Sequence, residues 1–150
     1  MRNIEPGEVL VVERGPRVGA RLVAMISALT GYETNCCVGW GEYVLHGPLH
    51  GNGAGAYINH SCNPNAGMLV DATWVAMRAI TATEEVTCDY GTFETMNDWS
   101  MDCACGAASC RKVITGRDFL LPDLQARLGP WFAPYLRMHI KSVTEPYRTR

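Results

Sequence analysis

Three of this chain's seven cysteines, Cys103, Cys105 and Cys110, fall within one C-x-C-x4-C turn that also holds Gly106. Thiolates so spaced can converge on a metal, and a structural zinc site takes four sulfur or nitrogen ligands in a tetrahedron. On their own, the three fit free thiols in a loop or a redox group as well. C-x-C is tighter than the C-x-x-C of thioredoxin-like sites, and no strand-helix-strand pattern surrounds it. Cys36 and Cys37 are neighbours in an expected strand, so they should point to opposite faces as core or partly buried thiols. Two further stretches carry chemistry: Asn59-His60-Ser61-Cys62-Asn63-Pro64-Asn65 and, later, Asp89-Tyr90-Gly91. In isolation His60 reads as a satisfied structural histidine and Tyr90 as a strand tyrosine packed in the core. Their order and company are what give them weight.

The elements that must position these residues are mostly short strands. Val9–Glu13 and Arg21–Ile26 read as strands separated by the Gly15-Pro16 turn, with Ile26–Tyr32 open to either strand or helix. Cys37–Leu45 reads as another strand, followed by Gly47-Pro48 and a glycine-rich loop. Met68–Val70 and Trp74–Arg78 flank Asp71-Ala72-Thr73 as a hairpin. Val86–Tyr90 closes the strand-rich part, and its alternation puts Val86, Cys88 and Tyr90 on one face. Beyond Arg117, Leu120, Leu121, Leu124, Leu128, Trp131, Phe132, Tyr135, Leu136 and Ile140 recur at helical spacing, predicting two short helices separated near Gly129-Pro130. That stripe reads as core packing. Arg111, Lys112 and Arg117 read as a solvated face.

Composition narrows the partners only a little. With 47% hydrophobic and 19% charged residues, 150 residues suffice for one domain with its own core. A formal net charge of −2 gives no electrostatic reason to expect direct nucleic-acid binding. No apolar run reaches membrane-spanning length, and the N-terminus has no secretory h-region. Clustered thiols therefore suit a reducing compartment, cytoplasmic, or nuclear in a eukaryote.

Taken together and in order, the Asn59–Asn65 stretch, Asp89-Tyr90-Gly91 and the cysteine cluster resemble the SET family of lysine methyltransferases. The likeness is to its small stand-alone members with a zinc-binding post-SET motif. Ile4-Glu5-Pro6-Gly7-Glu8-Val9 is similar to the family's I-x-x-G-E-V segment, and the resemblance runs from about Ile4 to Phe119. It implies a mainly β SET fold, with short sheets, a threaded C-terminal pseudoknot shaped by Asn65, and C-terminal helices. It further implies a SET domain over 1–100, a post-SET segment over 101–117 and a helical extension over 118–150. The family's G-x-G turn lies upstream of the I-x-x-G-E-V segment, and this chain is expected to lack it. Gly39-x-Gly41 and Gly51-x-Gly53-x-Gly55 match the letters in the wrong place.

The activity so implied is methyl transfer from S-adenosylmethionine to a lysine amine of a protein or peptide. Tyr57, Asn59 and His60 would line the donor, Cys62 would join Cys103, Cys105 and Cys110 on zinc, and Tyr90 would be the catalytic residue. Transfer is an in-line displacement whose main demand is alignment at near-contact distance. Val86 and Cys88 would line the substrate channel. Cys88 stands where many relatives carry Phe or Tyr, which implies a roomier channel that admits more than one methyl. Two rivals use the same scaffold: a binding module without methyl transfer, and an enzyme acting on a small molecule or natural-product intermediate.

Overall fold

The computed structural model describes residues 2–30, 35–46, 53–70 and 72–144. Its main sheet is built around a hairpin, β6 (Ala66–Val70) and β7 (Thr73–Ala76), with β1 (Val9–Val12) antiparallel to β7. Ala66, Met68, Trp74 and Ala76 are buried, so this hairpin forms the centre of the core. Ala72 turns the hairpin at φ 51°, a left-handed conformation that disfavours a β-carbon by about 1 kcal/mol. Asp71 lies outside the described residues.

The order of the sheet is β1-β7-β6-β8-β5, where β5 is Asn59–His60 and β8 is Thr87–Cys88. Strand β8 runs parallel to both β5 and β6, entering between two strands that follow each other in the sequence. The 61–65 link must then span the inserted strand, which is the threaded topology expected from the sequence and rare among folds. Asn65 makes the crossing tolerable. Its buried amide accepts from the Thr87 N–H at 2.8 Å and donates to the Glu85 carbonyl at 2.8 Å, replacing ladder bonds that the link cannot supply.

A second sheet has the order β2-β4-β3, from Arg17–Gly19, Glu42–Leu45 and Asn35–Gly39. Two sequence expectations fail here. Cys37–Leu45 is not one strand, because Gly41 at φ 66° folds it into the β3–β4 hairpin. Arg21–Ile26 is not a strand but lies within helix α1 (Ala20–Thr30). Ala20, Val23, Ala24 and Ser27 are spaced to share one helical face, and the Ala-Arg-Leu-Met composition favours helix. Cys36 and Cys37 are both buried, as a core reading requires.

The rest of the chain clamps these sheets together. β9 (Ser100–Asp102) and β10 (Val113–Thr115) form an antiparallel ribbon. The C-terminal stripe forms α2 (Pro122–Leu128) and α3 (Pro134–Thr144), parted by a 3-10 turn at Gly129-Pro130 as the sequence predicts. Leu124, Leu128, Phe132 and Leu136 are buried together, whereas Leu120 and Leu121 stay exposed. Trp131 rests on Gly67 of β6, where a β-carbon would approach the Trp131 Cβ to 2.7 Å.

An acidic side chain is buried in the core. The Glu13 carboxylate accepts from Trp74 Nε1 at 3.0 Å and meets His46 Nε2 at 2.8 Å. Both acidic and imidazole side chains are fully buried. Gly53 and Gly55 are glycines because this carboxylate lies against their backbone, with no room for a β-carbon at Gly55. Elsewhere, Gly116 lies hard against the Met96 carbonyl, and its own N–H donates to Trp99 O at 3.1 Å. Gly116→Ala is expected to lower stability by about 2 kcal/mol, since the obstacle is backbone and cannot swing aside. For a chain of this size that is a fall in Tm of about 4–8 °C. An unchanged thermal transition would contradict this packing.

Candidate active site

Beside the threaded sheet lies a cavity of about 430 Å³, within the usual size of small-ligand sites. Its walls come from α1, the β3–β4 hairpin, the 3-10 turn Ala54–Tyr57 and the stretch from Cys88 to Trp99. Tyr43, Tyr90, Phe93, Trp74 and Trp99 supply its aromatic wall, beside the polar Ser27 and Glu94. Tyr90 and Phe93 meet edge-on at 5.6 Å between centroids, and Phe93 and Trp74 at 5.0 Å. The Tyr90 hydroxyl donates to the Ile58 carbonyl at 3.1 Å, setting two oxygens side by side on the wall. Burial, with the Cys88 and Cys36 thiols nearby, pushes the Tyr90 phenol up to about 12. It is therefore a neutral hydroxyl at physiological pH.

The predicted strand Val86–Tyr90 is shorter than expected. Only Thr87–Cys88 is strand, because the Asp89 carboxylate caps a 3-10 turn over Tyr90–Thr92 by accepting from Gly91 N at 3.0 Å. Cys88 and Tyr90 still reach the cavity together, and Cys88 is fully buried, with its thiol raised well above the ordinary value by desolvation. Val86 packs against the central core and is not among the cavity's lining residues.

The Tyr57-to-His60 strip alternates. Ile58 points into the cavity, while Tyr57 and Asn59 are exposed on the other side, Asn59 donating to Glu85 at 2.7 Å. His60 turns back toward Tyr90. Its Nδ1 accepts from the Tyr90 N–H at 3.1 Å, which puts the ring proton on Nε2, 3.3 Å from the Cys62 sulfur. Burial lowers the His60 pKa, the Asp89 carboxylate opposing in part, so the ring is a neutral connector and not an acid.

Several wall residues carried no sequence signal. Tyr43 donates to Glu94 Oε1 at 2.7 Å, and that oxygen also accepts from the Thr95 and Met96 N–H groups. Val23, Ala24 and Ser27 line the opposite side from α1. Only the correct assignment of that helix would have brought them here.

Behind Tyr90 and Trp99 of the cavity wall, the four cysteines converge. All four sulfurs lie within 4.8 Å of one another, with Cys62–Cys103 at 4.0 Å and Cys103–Cys110 at 3.7 Å. Four thiolates around zinc at about 2.3 Å would sit about 3.8 Å apart, so the set fits a tetrahedral metal site with only small adjustment. Two backbone N–H groups already face the sulfurs, Cys62 N toward Cys105 and Arg111 N toward Cys62, each at 3.4 Å. Desolvation pushes the Cys62 thiol up to about 12, so a thiolate there calls for a cation's charge. At Cys105 desolvation also acts upward, but the N–H groups of Cys62 and Ala107 and the neighbouring thiols together bring it down to about 6.

A sheet entered by its own later strand, with four thiols from the Cys62 link and a later segment gathered beside it, defines a particular class of β protein. This chain belongs to the SET domain family, whose model matches residues 1–91. Among curated proteins it is 37% identical over 92 residues to the protein named "Putative histone-lysine N-methyltransferase ASHH4" of Arabidopsis thaliana. The match takes in 55% of this chain but 25% of that relative, so the chain spans about a quarter of its length. Among solved structures, the fold is similar to the methyltransferase domain of human SETMAR, with a TM-score of 0.57 at 20% identity. That alignment covers 75% of this chain and 51% of the other. KRYPTONITE, solved with mCHG DNA and SAH, aligns at a TM-score of 0.55 and 22% identity, over 75% of this chain and 25% of that one. At such identities these two likenesses speak for the fold alone. No helix among the described residues is long and apolar enough to cross a membrane.

Proposed function

We propose that this chain transfers a methyl group from S-adenosylmethionine to the side-chain amine of a lysine in a protein or peptide, with Tyr90 as its catalytic residue. The observation that carries this reading is the paired oxygens of Tyr90 and Ile58 on the wall of an aromatic cavity, inside a SET fold. Bound S-adenosylmethionine supplies a methyl group on a positively charged sulfur; the N–C bond forms as the S–C bond breaks, and the amine's proton passes to solvent. Tyr57, Asn59 and His60 are taken as the donor-side residues, with the donor lying outside the cavity, because Tyr57 and Asn59 face away from it and His60 lies against Tyr90. The Tyr90 and Ile58 oxygens are suited to accept weak C–H···O contacts from a polarised methyl. Burial and the positive charge of a bound donor both disfavour an ammonium ion and so lower the lysine's pKa, while Glu94 on the cavity wall acts in the opposite direction. Cys88, smaller than an aromatic residue, leaves room for a second methyl. Cys62, Cys103, Cys105 and Cys110 would hold a structural zinc, whose chemistry is to cross-link the later segment to the threaded sheet. A reducing compartment, cytoplasmic or nuclear, suits these thiols.

The experiment is incubation of the zinc-loaded protein with S-adenosylmethionine and a library of lysine-containing peptides, read by mass spectrometry. Mono- and dimethyl-lysine products are expected. Turnover only of small-molecule amines would favour the rival enzyme, and no turnover by donor-bound protein would favour a binding module. The pH profile gives a sharper check. With lysine's reference pKa near about 10.4 and the Tyr90 phenol up at about 12, kcat/KM should rise with pH as the substrate amine loses its proton. Tyr90 should impose no alkaline fall before it ionises. A decline between about pH 8 and 10 that disappears in Tyr90→Phe would contradict this protonation state.

A further inference from the structure

Arg111 follows the last cysteine of the cluster and, contrary to the solvated face expected of it, its side chain is only 15% exposed. Lys112 and Arg117, by contrast, are exposed. The Arg111 guanidinium grips Asp89 with both terminal nitrogens, at 2.7 and 2.6 Å, and reaches Asp118 with Nε at 2.8 Å. Its backbone N–H faces the Cys62 sulfur at 3.4 Å. Lys112, at φ 68°, turns the chain there, and its carbonyl accepts from Cys103 N at 2.7 Å. Asp89 is the buried cap of the turn carrying Tyr90, and Asp118 is itself fixed by the Thr115 hydroxyl at 2.7 Å. A β-carbon on Gly91 would come within 2.8 Å of the Asp118 Cβ, so the turn and the arginine's second carboxylate are already in contact.

We infer that Arg111 is a positioning residue for methyl transfer: it ties the four-cysteine cluster, through Asp89, to the turn that aims the Tyr90 hydroxyl. This rests on the proposed methyltransferase reading and adds to it a residue that touches neither donor nor acceptor. A bidentate guanidinium is needed because it grips both carboxylate oxygens in one plane, which a lysine ammonium cannot do. The turn's freedom to rotate is thereby removed at its buried end. Misplacing a reacting group by about 1 Å can lower a rate about 100-fold, so this restraint bears on kcat more than on donor binding.

The test uses full-length, zinc-loaded protein bearing Arg111→Lys or Arg111→Met, alone and combined with Tyr90→Phe. Both single variants should keep one zinc per chain and donor affinity within about threefold, while kcat falls about tenfold or more. Because Arg111 acts through Tyr90, adding Arg111→Met to Tyr90→Phe should lower the remaining rate by about twofold or less. Exchange of the Gly91 amide hydrogen, bonded to Asp89, should quicken about tenfold in both variants, and this readout needs no turnover. Equal rate losses from Arg111→Met with and without Tyr90→Phe, loss of zinc from both variants, or an unchanged Gly91 exchange rate would each overturn the inference. If the unsubstituted protein fails to methylate but Gly91 exchange responds as stated, the methyltransferase reading falls while the mechanical link stands.

Discussion

Tyr90→Phe lowers the methylation rate about 100-fold or more while the protein stays folded and keeps its donor affinity within about threefold. Phenylalanine keeps the ring, and with it the edge-on contacts to Phe93 and His60. It deletes one hydroxyl, whose bond to the Ile58 carbonyl contributes about 1 kcal/mol to stability. A structural tyrosine would therefore show only a small fall in Tm. A catalytic one shows that same small fall together with a large loss of kcat, because the missing oxygen sits where methyl and amine must be aligned. Single-turnover kinetics, alongside calorimetric donor binding, separate the two. An unchanged rate would remove Tyr90 from the mechanism. A rate loss matched by an equal loss of donor affinity would move it from the reaction to ground-state binding.

The second large effect comes from the zinc proposed for the four-cysteine cluster. Stripping zinc with a chelator, or replacing Cys62 by serine, is expected to lower stability on the order of 5 kcal/mol, about 10–20 °C in Tm, and to abolish methylation. Cys62 is fully buried, and it belongs with Cys103 and Ile114 to a small core against which Tyr90 and Trp99 pack. Without a cation, four close sulfurs must hold protons they have little room for, or repel one another as thiolates. The segment carrying Cys103 to Cys110 then detaches, and Arg111 leaves with it. Restoring one equivalent of zinc should restore both the transition and the activity. Full activity in metal-free protein, verified by elemental analysis, would rule out this coupling.

What the sequence made legible was the chemistry held in short local runs. Asn59 to Asn65, Asp89-Tyr90-Gly91 and the cysteine turn announce themselves because threading, capping and metal binding each demand particular residues at fixed spacing. The hairpin around Ala72 and the break at Gly129-Pro130 were legible for the same reason, since turn chemistry is local. The errors arise where distant partners decide. Arg21–Ile26 carries an apolar density that suits strand or helix, and only the face buried against the cavity selects the helix. Cys37–Leu45 read as one strand because the turn at Gly41 shows only once β3 and β4 pair. Gly53 and Gly55 are small because Glu13, some forty residues earlier, is buried against them. Arg111 read as a surface cation because its two carboxylate partners are distant or unremarkable in sequence. Val86 lies ahead of the strand, which begins only at Thr87, so alternation does not carry it to the cavity with Cys88 and Tyr90.

The central claim is that this chain binds a methyl donor and uses Tyr90 to pass the methyl to lysine, and donor binding is its most exposed link. Calorimetric titration of the zinc-loaded protein with S-adenosylmethionine, and with its demethylated product, tests that link directly. The account predicts saturable binding of both at one site per chain, retained in Tyr90→Phe. Absence of binding by protein shown to be folded and metal-loaded would contradict it, and would leave a SET scaffold whose cavity serves another ligand.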